Sequence, residues 1–345
     1  MRRRRRKSSA RIAAAAFVAQ TLVTVSAVSG AQALVPDAAT VASLHELIQT
    51  GRTEEAQEQL KRFDSTAPVV VYLRGLGLYH ADEHTKAIET LLPIVSQLES
   101  GSVERRETEQ VLGLALYATG RLAEAVPYLE ATRTWARDNI ELNYYLGLAY
   151  LQTGKIDAAR PALAVTFGVP PDDAATHLVT AQMLIRLNLD ETAAVELKRA
   201  LEKNPRLPHV QFLLGQMALF RGRLAESAEW TRKELDVNPG NAMAWYQLGD
   251  VYVREAKWNE AITMLQRSLW INPFYSGPYI LLGRAYMKTG RTSTAEGMLR
   301  RAIQYDPNNR AAHYLLAQLL QQLGRHAEAK EEFAIAEKLQ GQPGR

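Results

Sequence analysis

The chain has 345 residues, which is enough for two ordinary globular domains or for one long array of repeats. Hydrophobic residues make up 47% of it, and this excludes a chain that is disordered by composition. The absence of cysteine excludes disulfides, cysteine nucleophiles and thiolate metal sites.

The first predicted element is an export leader, residues 1–33. Met1–Arg11 is strongly cationic, residues 12–30 form an apolar run, and Ala31-Gln32-Ala33 fits the small-x-small pattern of a signal-peptidase site. We therefore predict cleavage after Ala33, and we expect the mature protein to be periplasmic or secreted. The alternative is an uncleaved inner-membrane anchor formed by residues 12–30, which are just long enough to span a bilayer. Membrane contact is expected only through such an uncleaved leader.

The positive charge of the chain belongs to this leader. Residues 1–33 hold seven basic residues and no acidic one, so 34 of the 41 basic residues remain against all 37 acidic residues, a net charge of −3. A nucleic-acid-binding protein needs a basic surface on its folded part. We therefore expect no nucleic acid among the partners.

Behind the leader, the sequence repeats with a period of 34 residues. The dipeptides Leu214-Gly215, Leu248-Gly249 and Leu282-Gly283 show this spacing directly. Weaker copies at the same phase extend the array over residues 37–339 and leave a flexible tail at 340–345. The predicted units start near residues 37, 68, 106, 140, 174, 208, 242, 276 and 310.

Each unit is predicted to be a pair of helices. In the unit 242–275 an i, i+3, i+4, i+7 stripe marks the first helix, and it consists of Trp245, Leu248, Gly249 and Tyr252. Ala261 and Leu265 mark the facing stripe of the second helix. The small residues Gly249 and Ala261 are expected to face each other, so that the two helices approach closely.

These 34-residue units resemble the tetratricopeptide repeat family. The resemblance covers residues 37–339 and implies an all-α fold, a right-handed α-solenoid of about nine helix-turn-helix units. It also implies a scaffold that binds a partner on a concave groove. One departure is Glu234, which stands where the family has a small residue.

Residues for catalysis are not apparent in the sequence. The histidines fall at different repeat positions, and no phosphate loop or nucleophile motif appears. His80 and His84 are four residues apart, but they straddle a predicted turn and are better explained as a polar turn than as metal ligands. We therefore expect a non-enzymatic protein without cofactor or metal.

The concave groove is expected to carry an aromatic ladder beside a polar ladder. The resemblance places there Tyr144, Gln182, Phe212, Gln216, Tyr246, Asp250, Arg284, Tyr314 and Gln318. Aromatic faces cover apolar groups, and amides pair with backbone or hydroxyl groups. The alternative for the rings is that they only seal the seams between units. The set lacks the lysines and asparagine of a chaperone-tail carboxylate clamp, so that ligand is disfavoured.

The leading functional prediction is an exported scaffold for protein–protein interaction. It would bind a protein or an extended peptide segment in the groove and serve the assembly of a cell-envelope complex. The alternative is a periplasmic adaptor for polysaccharide synthesis or export, whose groove guides sugar.

Overall fold

The computed structural model describes residues 34–340, which form eighteen α-helices and no strand. Successive helices pack as nine antiparallel pairs, and each pair packs on the next. The prediction of an all-helical solenoid with about nine units is therefore confirmed. The predicted signal peptide or anchor within residues 1–33 and the tail after Gln340 lie outside the described residues.

The pairs follow one another along the chain with little between them. They are α1 (Ala38–Gln49) and α2 (Thr53–Leu60), α3 (Pro68–His80) and α4 (His84–Leu91), α5 (Val103–Ala118) and α6 (Leu122–Arg133), α7 (Ile140–Gln152) and α8 (Ile156–Phe167), α9 (Ala174–Arg186) and α10 (Asp190–Lys203), α11 (Val210–Phe220) and α12 (Leu224–Val237), α13 (Ala242–Arg254) and α14 (Trp258–Ile271), α15 (Ser276–Lys288) and α16 (Thr292–Tyr305), and α17 (Arg310–Gln322) and α18 (His326–Gln340). None of these helices is long and apolar enough to cross a membrane.

The local sequence determines where the helices begin and where the chain reverses between the two helices of a pair. The Asn241 side chain accepts a hydrogen bond from the Ala244 amide and caps α13, and Asn139 and Asn309 cap α7 and α17 in the same way. Within several pairs the chain reverses at a glycine with positive φ, for example Gly290 at 74°. Caps and turns therefore recur with the period of the repeat.

Glycine lets the two helices of a pair approach closely. A Cβ atom on Gly249 would lie 2.6 Å from Cγ of Leu265, and one on Gly283 would lie 2.6 Å from Cγ of Leu299. The sequence-based pairing of Gly249 with Ala261 is thus corrected, because Leu265 fills the space in front of the glycine. Ala261 is also fully buried, but it is not among the atoms nearest to that position.

A recurring hydrogen bond ties the first helices α7, α11, α13 and α15 to the turns that precede them. The donor sits three residues after the start of the unit, and its acceptor is the carbonyl six residues earlier. The bonds are Asn143 Nδ2 to Arg137 O at 2.7 Å, Gln211 Nε2 to Pro205 O at 2.9 Å, Trp245 Nε1 to Pro239 O at 2.9 Å, and Tyr279 OH to Pro273 O at 3.0 Å. Each bond satisfies a turn carbonyl that no helix can pair. It thereby fixes how one unit follows the next and aligns the first helices.

Candidate functional site

The residues predicted for the groove all lie on first helices, from α7 to α17. Three of them meet at one place, because Arg284, Tyr314 and Gln318 line an open depression of about 580 Å³ between α15 and α17. The remaining lining residues are Met287, Lys288, Leu315, Gln321 and Gln322. This depression is the candidate binding site.

The lining of the depression combines three kinds of chemistry. Arg284 and Lys288 supply two exposed cations from α15. Tyr314 presents a ring that is 44% exposed and is braced edge-to-face by Phe333 of α18, with ring centroids 5.6 Å apart. Three glutamine amides from α17 complete the site, and no carboxylate lines it. Such a surface can hold an apolar group, pair with backbone amides and attract an anion.

Tyr246 and Asp250 lie one unit earlier, on α13. The ring of Tyr246 packs edge-to-face on Tyr275, with centroids 5.2 Å apart, and Tyr275 belongs to the turn before α15. Burial, together with Tyr275 and the charge of Asp250, raises the pKa of Tyr246. Asp250 accepts two hydrogen bonds from Arg254, both at 3.1 Å. Tyr246 therefore seals a seam between two units, as the packing alternative expected of the rings.

The aromatic ladder is not continuous. Tyr144 is half-buried beside Tyr145, whose ring in turn contacts Tyr117 of α5 at 4.9 Å. Phe212 is only 6% exposed and belongs to the hydrophobic core, so its assignment to the open groove is corrected. The reason is local composition: nine of the eleven residues of α11 are buried, and a helix that is apolar on nearly all sides is enclosed by its neighbours.

Gln182 and Gln216 are half-buried on α9 and α11 and do not line the depression. The sequence-based set is thus divided between one formed site at its C-terminal end and separate positions farther back. Lys288 and Gln322 belong to the formed site but were missed. The available signal was helical spacing, because each lies four residues after a predicted site residue on the same helix.

No group of three or more metal-ligating side chains occurs in the stretch 34–340. His80 is the last residue of α3 and His84 is the first residue of α4, so the turn separates them as the spacing indicated. The buried His177 is instead hydrogen-bonded to Glu196 at 2.7 Å, and Arg160 and Arg199 also bind that carboxylate. These contacts join α8, α9 and α10 and account for the buried charge.

Three models described as tetratricopeptide repeat match the sequence. One matches residues 116–183 and 286–343, and the other two match residues 244–273 and 191–242. Among curated proteins, none matches the sequence significantly.

Several solved structures are similar to part of this chain. MamA from Desulfovibrio magneticus RS-1 is 22% identical over 49% of this chain and 96% of its own, with a TM-score of 0.45. YrrB, titled a TPR protein with an unusual peptide-binding site, is 21% identical over 49% and 87%, with a TM-score of 0.43. A thermophilic TPR protein in Thermus thermophilus is 22% identical over 48% and 91%, with a TM-score of 0.40.

Proposed function

Because the chain belongs to the tetratricopeptide repeat family, we propose that it is a non-catalytic scaffold whose first-helix surface binds an extended segment of another protein. The observation that carries the proposal is the depression between α15 and α17, where Arg284, Tyr314 and Gln318 meet. These residues leave the packed core and still converge on one open space.

The shape and chemistry of the depression suit an extended segment. It is formed by two consecutive first helices, so a ligand seated there contacts two units at once. The exposed ring of Tyr314 and the side chains of Met287 and Leu315 can cover an apolar residue, while the glutamine amides can pair with a peptide backbone that has no internal partners.

The leader, residues 1–33, supports a proposal for the localisation of the protein. The cationic, apolar and Ala-Gln-Ala zones support export and cleavage after Ala33, and for an exported scaffold we propose a role in the assembly of a cell-envelope complex. Intact-mass measurement of the protein from its native host, or from a related bacterium, tests this. We expect the mass of a chain that begins at Leu34. A chain that retains residues 1–33 and fractionates with membranes would support the anchor.

A polysaccharide is the second candidate ligand, and one observation favours it. Gln318, Gln321 and Gln322 lie beside the exposed ring of Tyr314, and an aromatic face next to amides also suits the faces and hydroxyl groups of a sugar. Binding that survives protease treatment of the captured material would favour the sugar over the protein segment.

The test of the scaffold compares two quadruple variants. In the first, Gln182, Gln216, Asp250 and Arg284 are replaced together by Ala. In the control, four exposed second-helix residues are replaced, namely Lys198, Glu202, Thr263 and Gln304. Both remove one acid and one base, and surface substitutions usually change stability by less than about 0.5 kcal/mol each.

We expect the groove variant to fold normally and to lose its partner in pull-downs from envelope extracts, since binding energy concentrates in a few residues. The control should keep the partner. If the groove variant binds at full affinity, the first-helix surface is not the site.

A further inference from the structure

Three aromatic side chains lie exposed at the edge of the solenoid where α14 leads into α15. Trp270 is the penultimate residue of α14 and is 74% exposed, and Phe274, in the turn that follows, is 75% exposed. Tyr305 ends α16 and packs edge-to-face against Phe274, with ring centroids 6.1 Å apart. We call these three residues the aromatic edge. None of them lines the depression between α15 and α17, so the aromatic edge is a separate surface.

The fold does not need aromatic residues at the positions of Trp270 and Phe274. In the four other units between residues 140 and 309, the same two positions hold Gly168 and Asp172, Glu202 and Arg206, Asp236 and Gly240, and Gln304 and Asn308. These units form the same helix pairs with small or polar residues there. A large apolar side chain that stays in water contributes nothing to folding through burial. Contiguous exposed apolar groups instead mark a contact with another molecule.

Two arginines flank the aromatic edge. The guanidinium of Arg267 lies over the ring of Trp270, 4.3 Å from its centroid. Arg301 faces Tyr279, whose ring stacks on Tyr305 at 5.4 Å. Burial raises the pKa of Tyr279, and the charge of Arg301 opposes this shift. Both arginines are exposed, and neither forms an ion pair with any residue of the stretch 34–340, so their positive charge is not neutralised within it.

Acidic residues are scarce in the two segments that form the aromatic edge. Residues 264–275 contain no carboxylate, and Asp306 is the only one in residues 298–310. Asp306 accepts hydrogen bonds from Asn309 Nδ2 at 3.0 Å and from the Asn308 amide at 3.3 Å. The edge therefore presents apolar rings together with positive charge, and this combination complements an acidic surface that has an apolar centre.

We infer that the aromatic edge is a second docking surface, and that it takes a protein partner whose acidic residues surround apolar side chains. This inference goes beyond the proposed function, which concerns the first-helix surface. Tryptophan, tyrosine and arginine are the residues in which the binding energy of protein interfaces concentrates. Arginines without an intramolecular partner favour a negatively charged protein and disfavour a positively charged one.

The arrangement of the rings favours a protein over a polysaccharide at this edge. The ring planes of Phe274 and Tyr305 are inclined by 89°, and Arg267 covers one face of Trp270. The rings therefore form no flat platform on which successive sugar rings could stack. Side chains that are three-quarters exposed project from the surface, and projecting rings fit the pockets that protein interfaces provide for such anchors.

A dye attached near the aromatic edge gives a local readout in the full chain, which has no native cysteine. Gln304→Cys places a single thiol at an exposed position of α16, directly before Tyr305, and the thiol carries an environment-sensitive dye. Three peptide probes are titrated: N-acetyl-(Asp-Leu)₃ amide, N-acetyl-(Lys-Leu)₃ amide and N-acetyl-(Asp-Ser)₃ amide. Trigalacturonate and phosphatidylglycerol vesicles represent the other classes of ligand. The arginine-rich leader is the same in every titration.

Two double variants without a change in charge locate the response. The edge variant combines Trp270→Gln with Phe274→Asn, which copies the residues of the following unit at these positions. The control combines Trp135→Gln with Phe220→Asn, which makes the same two replacements at exposed aromatic residues of other units. Far-ultraviolet circular dichroism and thermal melts establish that both variants are folded.

We expect the (Asp-Leu)₃ peptide to half-saturate the dye signal at a concentration about tenfold lower than either of the other peptides. The edge variant should lose this preference and the control should keep it. Equal half-saturation by the three peptides, or an equal loss in both variants, would overturn the inference. A stronger response to trigalacturonate or to the vesicles that only the edge variant loses would also overturn it, and so would a response to raised protein concentration without a probe, which would indicate a second copy of the chain.

The outcome is separable from that of the scaffold test. None of the residues replaced in the edge variant lines the depression, so this variant should still capture the partner of the first-helix surface in pull-downs. A negative dye result with an intact pull-down would remove the second docking surface and leave the proposed function standing.

Discussion

Two neighbouring units have a glycine at the same position of the first helix, but the side chains packed against it are apolar in one unit and polar in the other. In the unit 242–275, Gly249 faces the side chain of Leu265, and the contact is apolar. In the unit 208–241, the corresponding Gly215 faces Thr231 and the amide of Gln247, whose Nε2 donates a hydrogen bond to Thr231 Oγ1 at 2.7 Å. The backbone spacing is therefore compatible with either a leucine or a hydrogen-bonded pair.

The polar unit also contains a fully buried carboxylate, Glu234. It accepts hydrogen bonds from the amide of His209 at 2.9 and 3.0 Å and from Asn241 Nδ2 at 3.0 Å. His209 precedes α11 with φ of 79° and provides no side-chain cap, so Glu234 supplies from α12 the anion that a helix N-terminus favours. The two units should therefore respond differently to substitution. The polar network loses stability when any one of its members is removed, whereas the apolar contact loses stability when the volume of a side chain changes.

The largest effect is expected from Glu234→Ala. It leaves the buried Asn241 side chain and the part-buried His209 amide without this acceptor. A buried group without a partner costs about 1–3 kcal/mol, so we expect a loss of about 2–3 kcal/mol in the free energy of unfolding. Urea unfolding measures it. Glu229→Ala, at an exposed position of the same helix, should cost less than about 0.5 kcal/mol. Equal midpoints for the two variants would show that the network is not stabilising.

Gly249→Leu should come next. The new side chain would enter space that Leu265 occupies, and overpacking of this kind costs about 1–3 kcal/mol. Gly297→Leu is the matched control, because Gly297 is an exposed helical glycine of α16 with no atom within 4 Å of an added Cβ. Thermal melts should separate the two clearly, and an equal fall in melting temperature would contradict the packing of Gly249 on Leu265.

A smaller effect tests the polar solution directly. Thr231→Val removes the shorter of the two hydrogen bonds that the Gln247 amide donates, at 2.7 Å against 3.5 Å to the Phe212 carbonyl, and should cost about 1–2 kcal/mol. The double variant Thr231→Leu, Gln247→Leu replaces both partners by apolar groups, as at Leu265 and Leu281 of the following units, and should recover most of that loss. A double variant less stable than the single one in urea would mean that the pair cannot be exchanged for leucine.

The smallest effect concerns pH and the N-terminal units. His45 of α1 is hydrogen-bonded to Glu107 of α5 at 2.8 Å, and Tyr72 of α3 donates to the same carboxylate. The hydrogen bond to Glu107 raises the pKa of His45, although burial opposes it. Burial opposes ionisation of Glu107 as well, but the bonds from His45 and Tyr72 outweigh it and lower the pKa of that carboxyl. Glu104 of α5 and His80 of α3 also face this pair.

The directions of these two pKa shifts define a pH window in which the His45–Glu107 pair stabilises the fold. The contribution of His45 is complete below its ordinary pKa of 6.5 and is lost as the pH rises through the raised folded value. The contribution of Glu107 is complete above its ordinary pKa of 4.5 and is lost as the pH falls through the lowered folded value. We expect His45→Gln to cost less than about 1 kcal/mol between these values and nothing at pH 9, as measured by urea unfolding. A cost independent of pH would exclude the ion pair.

The sequence predicted the array because its signals are local and periodic. The Leu-Gly dipeptides and the Asn-Pro turns recur every 34 residues and report helix faces and ends, so nine pairs could be predicted. Contacts between side chains of different helices have no such signal. The partner of Gly249 was assigned to Ala261 and is Leu265, and Glu234 was recognised only as a departure from the family.

The candidate site was predictable only in part for the same reason. The register of the first helix placed Arg284, Tyr314 and Gln318 on one surface, where they line one depression. The same register included Phe212, because a position in the repeat does not reveal how completely neighbouring helices enclose a side chain. Lys288 was missed because the ladders were followed from unit to unit and not along each helix.

The most direct measurement of the central claim is site-specific photocrosslinking in envelope extracts. A photoreactive residue at Gln318, in the depression, is compared with one at Lys198, exposed on the second helix α10. We expect a single crosslinked protein partner from position 318, lost in the Arg284→Asp background, and none from position 198. The same partner from both positions, or from position 198 alone, would contradict binding on the first-helix surface.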